Sequence, residues 1–215
     1  MEMITLVLKE LLVQKMMVGP VLLYILVFSF AFRNTGDAQA VAIVTAVGYM
    51  FVMLCGAWDE KVNADRLWNS LPVPKWQIVG ARYLALLVYT VLVAPLTTAV
   101  LALLTSAGII KAAGAASLVN ALAGVGAVMV LASLFLPLYF AFGYTKSRVL
   151  NMLVFVGSFS LSTIVSSSVS KQPAWIAALD RLGGAVVAVG AVGLVAVIAV
   201  LSFFVSLKLY SRREF

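Results

Sequence analysis

Six long apolar runs separated by short polar or charged intervals set the pattern of this chain, at about 16–32, 40–57, 80–106, 118–142, 149–168 and 183–207. Each is close to the roughly 20 residues an α-helix needs to cross a hydrocarbon core of about 30 Å. The pattern predicts an all-α membrane protein: six transmembrane helices forming a single domain over 1–215. Ahead of the first run, Ile4, Val7, Leu8, Leu11 and Leu12 recur at helical spacing, while Glu2, Thr5 and Lys9 take the opposite face. This predicts an amphipathic helix over 1–15, lying in the membrane interface. Gly19-Pro20 offers a place to turn into the first span, because Pro removes an intrahelical hydrogen bond. The other arrangement is one continuous helix from Met1.

The stretch WDEKVNADRLWNSLPVPKWQIVGARYL, Trp58 to Leu84, is the longest charged interval, and its part 58–79 is expected as a cytoplasmic segment between the second and third runs. Connections between packed helices usually take about 2–8 residues, so this one is long enough to fold. From Asp59 to about Leu71, Val62, Arg66 and Asn69 share one helical side, and Ala64, Leu67, Trp68 and Leu71 form an apolar ridge on another. Pro72 and Pro74 end this short helix, since the residue before each Pro is pushed out of the helical region. Pro74 is then expected as the first residue of the third-span helix. Two readings stay open on these residues alone. The helix is either a rigid plug for a partner's pocket, or a solvated loop whose Trp68 and Trp76 anchor at the interface.

Composition supports the bilayer. Hydrophobic residues make up 64% and charged residues 11%, against roughly a quarter charged in soluble domains. The basic residues also give a direction. With both termini cytoplasmic, the inner side carries Lys9, Lys15, Lys61, Arg66, Lys75, Arg82, Lys146, Arg148, Lys208, Arg212 and Arg213. The outer side carries only Arg33, Lys111, Lys171 and Arg181. Lys and Arg resist translocation, which favours six spans with both ends inside. The net charge of +7 and pI near 9.7 then reflect topology and anionic lipid rather than nucleic acid. Lys9, Lys15, the first apolar run and Ala38-Gln39-Ala40 imitate a signal peptide with its cleavage site. The run is long for that role, and five more spans follow. The single Cys55 cannot form an intrachain disulfide, and within a span it is a small packing residue.

The chain contains no His, which excludes His-based zinc motifs, Ser-His pairs and His proton relays. It also lacks the Gly-rich loop with Lys and Ser or Thr that cradles nucleotide phosphates. No Asp, Glu, Lys or Arg lies in the middle of a span, where ion-driven carriers place their ionisable groups. Energy for any transport must come from outside this chain. In the fifth run, Ser158, Ser162 and Ser166 form a hydroxylated stripe, either a candidate cargo path or serines bonded back to their own helix carbonyls. Gly183, Gly184, Ala188, Gly190 and Gly193 in the sixth run are read as close helix packing.

Three stretches carry a family resemblance. The segment with Asp59-Glu60-Lys61, Ser70-Leu71-Pro72-Val73, Ile78-Val79 and Arg82-Tyr83-Leu84 resembles the first cytoplasmic loop of ABC transporter permeases of the type-2 exporter family. LPLYFAFGYTKSR, Leu136 to Arg148, is similar to that family's second cytoplasmic loop, and LKLYSRREF, Leu207 to Phe215, to its C-terminal tail. The resemblance implies a coupling helix between the second and third spans, seated in a groove of a separate ATPase subunit. That role falls on Asp59, Glu60, Lys61, Arg66, Leu67, Trp68, Ser70 and Leu71. It makes Tyr144, Lys146 and Arg148 a secondary cytoplasmic contact, unless they serve only positive-inside retention. Pro74 departs from the pattern, which usually has a Ser or Thr able to cap the next helix.

The resemblance further implies a multi-pass permease of the bacterial cytoplasmic membrane, with no catalytic residue, metal or cofactor of its own. ATP and Mg would be bound by the partner ATPase. A second permease copy would complete a homodimer surrounded by lipid, with no nucleic acid involved. Small permeases of this plain architecture resemble exporters of amphipathic or antimicrobial peptides, including phenol-soluble-modulin exporters. An apolar interior suits lipid or drug cargo as well. The alternative from another class is a non-transporting membrane sensor or immunity protein that docks a signalling partner through the same loop.

Overall fold

The computed structural model describes residues 6–7, 18–62, 73–110, 117–150, 152 and 184–212. Five helices longer than two turns organise them, α1 (Val18–Ala31), α2 (Gln39–Lys61), α3 (Lys75–Ser106), α4 (Leu118–Phe142) and α5 (Gly184–Arg212). Among the described residues there is no strand. Helices α2 to α5 are each long and apolar enough to cross a membrane. They stand where the second, third, fourth and sixth apolar runs predict them. The fifth run, 149–168, and the amphipathic segment 1–15 lie almost wholly outside the described residues.

Helix α1 covers Val18–Ala31 of the first apolar run, 14 described residues that span about 21 Å at 1.5 Å each. The chain reverses just after it, through Gly36 at φ 58°, a left-handed conformation open to Gly without steric cost. A short 3-10 turn, Gly36–Ala38, leads into α2. Buried Gln39 donates from Nε2 to the carbonyl of Ser29 at 2.8 Å, which staples the end of α1 to the start of α2. Among the described side chains of α1, Val21, Ile25 and Ser29 are buried, at a spacing of four, so one narrow stripe packs inward.

Helix α4 is central and packs against α2, α3 and α5. Its approach to α2 depends on two glycines. A Cβ at Gly124 would stand 2.8 Å from the Cβ of Val44 and 3.0 Å from the Val41 carbonyl; one at Gly48 would stand 2.7 Å from a methyl of Val128. Small residues at such crossings let backbones come close where no hydrophobic force separates helix from lipid. Helix α3 has 32 residues, about 48 Å, and so extends past the hydrocarbon. Pro74 precedes it as the N-cap with φ −66° and ψ 138°, one residue earlier than expected. The charged interval 58–79 therefore includes the last residues of α2 and the first of α3. Within it, 63–72 lie outside the described residues.

Candidate functional site

The same end of the bundle holds the C-termini of α2, α4 and α5 and the N-terminus of α3. Three contacts define it: Arg82 of α3 with Asp59 of α2, Thr145 after α4 with Glu60 of α2, and the Lys75 ammonium with the Ser211 carbonyl of α5 at 3.4 Å. Among the described residues, Lys61, Lys75, Arg82, Lys146, Arg148, Lys208 and Arg212 belong to this end. Arg33 lies at the other, between α1 and α2.

At the centre of the end is an ion pair between Arg82 Nη2 and Asp59 Oδ2, with side chains only 9% and 16% exposed. Tyr139 of α4 completes it. Its hydroxyl is 3.3 Å from Asp59 Oδ2 and 3.3 Å from Arg82 Nη2, and its ring lies 5.4 Å from the guanidinium carbon. Buried charges are tolerated only when paired and hydrogen-bonded, and an Arg fork meets a carboxylate well. Arg82 is the eighth residue of α3, close to the membrane boundary rather than its midplane, which limits the cost. The pair joins the two helices that bracket residues 63–72.

The next residue, Tyr83, turns about 100° around the helix and meets α5 instead. Its hydroxyl is 2.7 Å from Ser202 Oγ and 2.9 Å from Ser206 Oγ. Ser202 gives its single proton to the carbonyl of Ser133 in α4 at 2.6 Å, so it accepts from Tyr83, and Tyr83 in turn accepts from Ser206. Proline supplies the reason Ser133 has a carbonyl to offer. Pro137 stands four residues further along α4 and has no N–H to donate back to it. In lipid that oxygen needs a donor, and a neighbouring helix supplies it.

The loop after α4 is held against the end of α2. Gly143 at φ 78° ends α4, and residues 144–150 form a new helical turn. Tyr144 packs so closely on Gly56 that a Cβ there would meet its ring at 2.7 Å. Thr145 donates to Glu60. Lys61 lies over the Trp58 ring at 4.8 Å, and Lys75 over the buried Tyr210 ring at 5.8 Å. Lys146 and Arg148 are exposed.

Of the residues expected in the coupling helix, Asp59, Glu60 and Lys61 are thus the last residues of α2. Asp59 faces inward to Arg82, Glu60 meets the second loop, and Lys61 is exposed. Arg66, Leu67, Trp68, Ser70 and Leu71 lie outside the described residues, as do Ser158, Ser162 and Ser166. Arg82, Tyr83, Tyr139 and Ser202 went unassigned in the sequence reading. Their available signal was membership of the three motif stretches for the first three, and the polar interruption of an apolar helix for Ser202. Among the described residues no group of His, Cys, Asp or Glu is placed to hold a metal ion.

Two clefts border this region. One is lined by Phe51, Val52, Cys55, Arg82, Leu86 and Leu136; another runs between α1, α2 and α3 beside Tyr24 and Tyr89, and each has a volume of about 10 Å³. That is room for about one water, far below the roughly 300–1,000 Å³ of pockets that hold drug-sized ligands. A family model described as ABC-2 family transporter protein matches residues 5–211, and the chain belongs to that family. No curated protein and no solved structure matches it.

Proposed function

We propose that this ABC-2 family chain is the transmembrane subunit of an ATP-driven exporter, working with separate ATPase subunits that bind the ATP and Mg. The observation that carries the reading is the convergence of all three motif stretches on one basic end, around the roots of residues 63–72. Membrane proteins keep Lys and Arg on the cytoplasmic side, so that end faces the ATPase. The coupling helix then falls within residues 62–71, following Asp59-Glu60-Lys61 at the end of α2, with Leu67 and Trp68 as its apolar anchors and Tyr144, Lys146 and Arg148 as a secondary contact. Six spans, both termini cytoplasmic and a bacterial cytoplasmic membrane complete the picture.

The path is built between two copies, as a C2 homodimer, since six spans in one chain supply only half of the usual exporter pathway. Apolar walls suit amphipathic or antimicrobial-type peptides of the phenol-soluble-modulin kind. The test is copurification with the ATPase encoded nearby, followed by an ATPase assay in lipid vesicles. A stable complex that hydrolyses ATP, while the chain alone does not, supports the reading. Copurification with a signalling kinase and no ATPase would sink it.

A further inference from the structure

Arg82 and Tyr83 are consecutive, yet they tie α3 to different neighbours. Arg82 is bound to Asp59 of α2 and lies against Tyr139 of α4; Tyr83 is bound to Ser202 and Ser206 of α5, and through Ser202 to Ser133 of α4. One polar layer therefore crosses four helices. In a bilayer such contacts fix register, because sliding one helix past another by a turn strands every group in an apolar medium. The layer lies directly beneath the two helix ends that hold residues 63–72.

The geometry points to Arg82 and Tyr83 as positioning residues, a joint that carries displacement of the end of α2 and the start of α3 into α4 and α5. This rests on reading the chain as an ATPase-coupled exporter subunit. The ion pair makes the end of α2 and the start of α3 move as one body. Tyr83 makes α5 follow, since its hydroxyl is bound on both sides.

The test follows a signal at the opposite end of the bundle. In the full chain carrying Cys55→Ala, an Asn34→Cys substitution places one thiol at an exposed site between α1 and α2. The chain is reconstituted with its ATPase in lipid vesicles, and the labelling rate by a membrane-impermeant maleimide is compared with and without ATP plus vanadate. Coupling between distant sites commonly amounts to about fivefold or more, so a nucleotide-dependent change of that order is expected in the parent. Arg82→Gln and Tyr83→Phe should abolish the change in complexes that still form, and Arg82→Asp combined with Asp59→Arg should restore it. If Arg82→Gln fails to insert, Tyr83→Phe alone gives the readout. A full nucleotide-dependent change in these variants, with only the yield of complex reduced, would overturn the joint and leave packing as the residues' role. A parent that does not associate with the ATPase would overturn both the joint and the transporter reading.

Discussion

The Ser202 hydroxyl donates to the Ser133 carbonyl at 2.6 Å, the acceptor that Pro137 leaves open in its own helix. Removing the donor should therefore cost more than a surface hydroxyl does. Ser202→Ala is expected to destabilise by about 1–3 kcal/mol, the penalty of a buried group left unsatisfied. Pro137→Ala restores an N–H to bond Ser133 from within α4, so the double substitution should recover part of that loss. Thermal unfolding of all four proteins in mild detergent gives the coupling energy. Strict additivity would mean that Ser202 does not serve the proline break.

The Asp59 and Arg82 pair makes a second stability prediction. Breaking a buried pair by removing one partner leaves a charge uncompensated, at about 3–5 kcal/mol, whereas replacing both by apolar groups is often neutral. Asp59→Ala and Arg82→Ala should each lower the midpoint of unfolding clearly. Asp59→Leu with Arg82→Met should lie closer to the parent. A double variant as unstable as the singles would show that each residue acts through other partners.

The glycine crossing of α2 and α4 gives a contrast within one residue type. Gly124→Val forces side-chain atoms against Val44 and the Val41 carbonyl, and overpacking of this kind typically costs about 1–3 kcal/mol. At Gly190 of α5 a Cβ meets nothing within 4 Å among the described residues. There Gly190→Ala should be neutral or gain up to about 1 kcal/mol of helix propensity. Equal effects at both sites, measured by detergent-solubilised thermal unfolding, would contradict the close approach.

The apolar runs made α2, α3, α4 and α5 legible because run length alone selects a membrane-crossing helix. Their ends were less so. α2 and α3 continue into Asp59-Glu60-Lys61 and Lys75, since a helix backbone can keep its own hydrogen bonds beyond the hydrocarbon. The reversal after α1 at Gly36 is set by backbone conformation, to which an apolar count is blind. In the site, Asp59, Glu60 and Tyr144 could be singled out as motif members. That Asp59 meets Arg82, 23 residues away, could not, because pairing between helices depends on crossing geometry rather than local spacing. The same holds for Tyr83 and the serines of α5.

Orientation is tested by fusion. A reporter active only outside the cell should work after Asn34 or Lys171 and fail after Val62 or Lys146, from the Lys and Arg asymmetry. Activity after Val62 would remove the coupling segment from the cytoplasm, and with it the proposed contact to an ATPase.

The sharpest prediction concerns Trp68, which lies outside the described residues. If Leu67 and Trp68 are buried in a groove of the ATPase, Trp68→Asp introduces a charge into a desolvated pocket and removes a large aromatic contact. Such a loss at a hot spot is at least about 2 kcal/mol. At 1.4 kcal/mol per tenfold, binding should fall by roughly 30-fold or more. Arg66→Glu should do less if Arg66 is on an exposed rim, where an ion pair contributes under about 1 kcal/mol. Insertion should be unchanged in both, because the substitutions fall between α2 and α3. The expected pattern is a normal membrane level, lost copurification of the ATPase and lost export for Trp68→Asp, with a milder loss for Arg66→Glu. A lowered membrane level in which the surviving molecules still couple would instead make Trp68 an interfacial anchor, because an anchor acts on insertion and leaves the docked geometry intact.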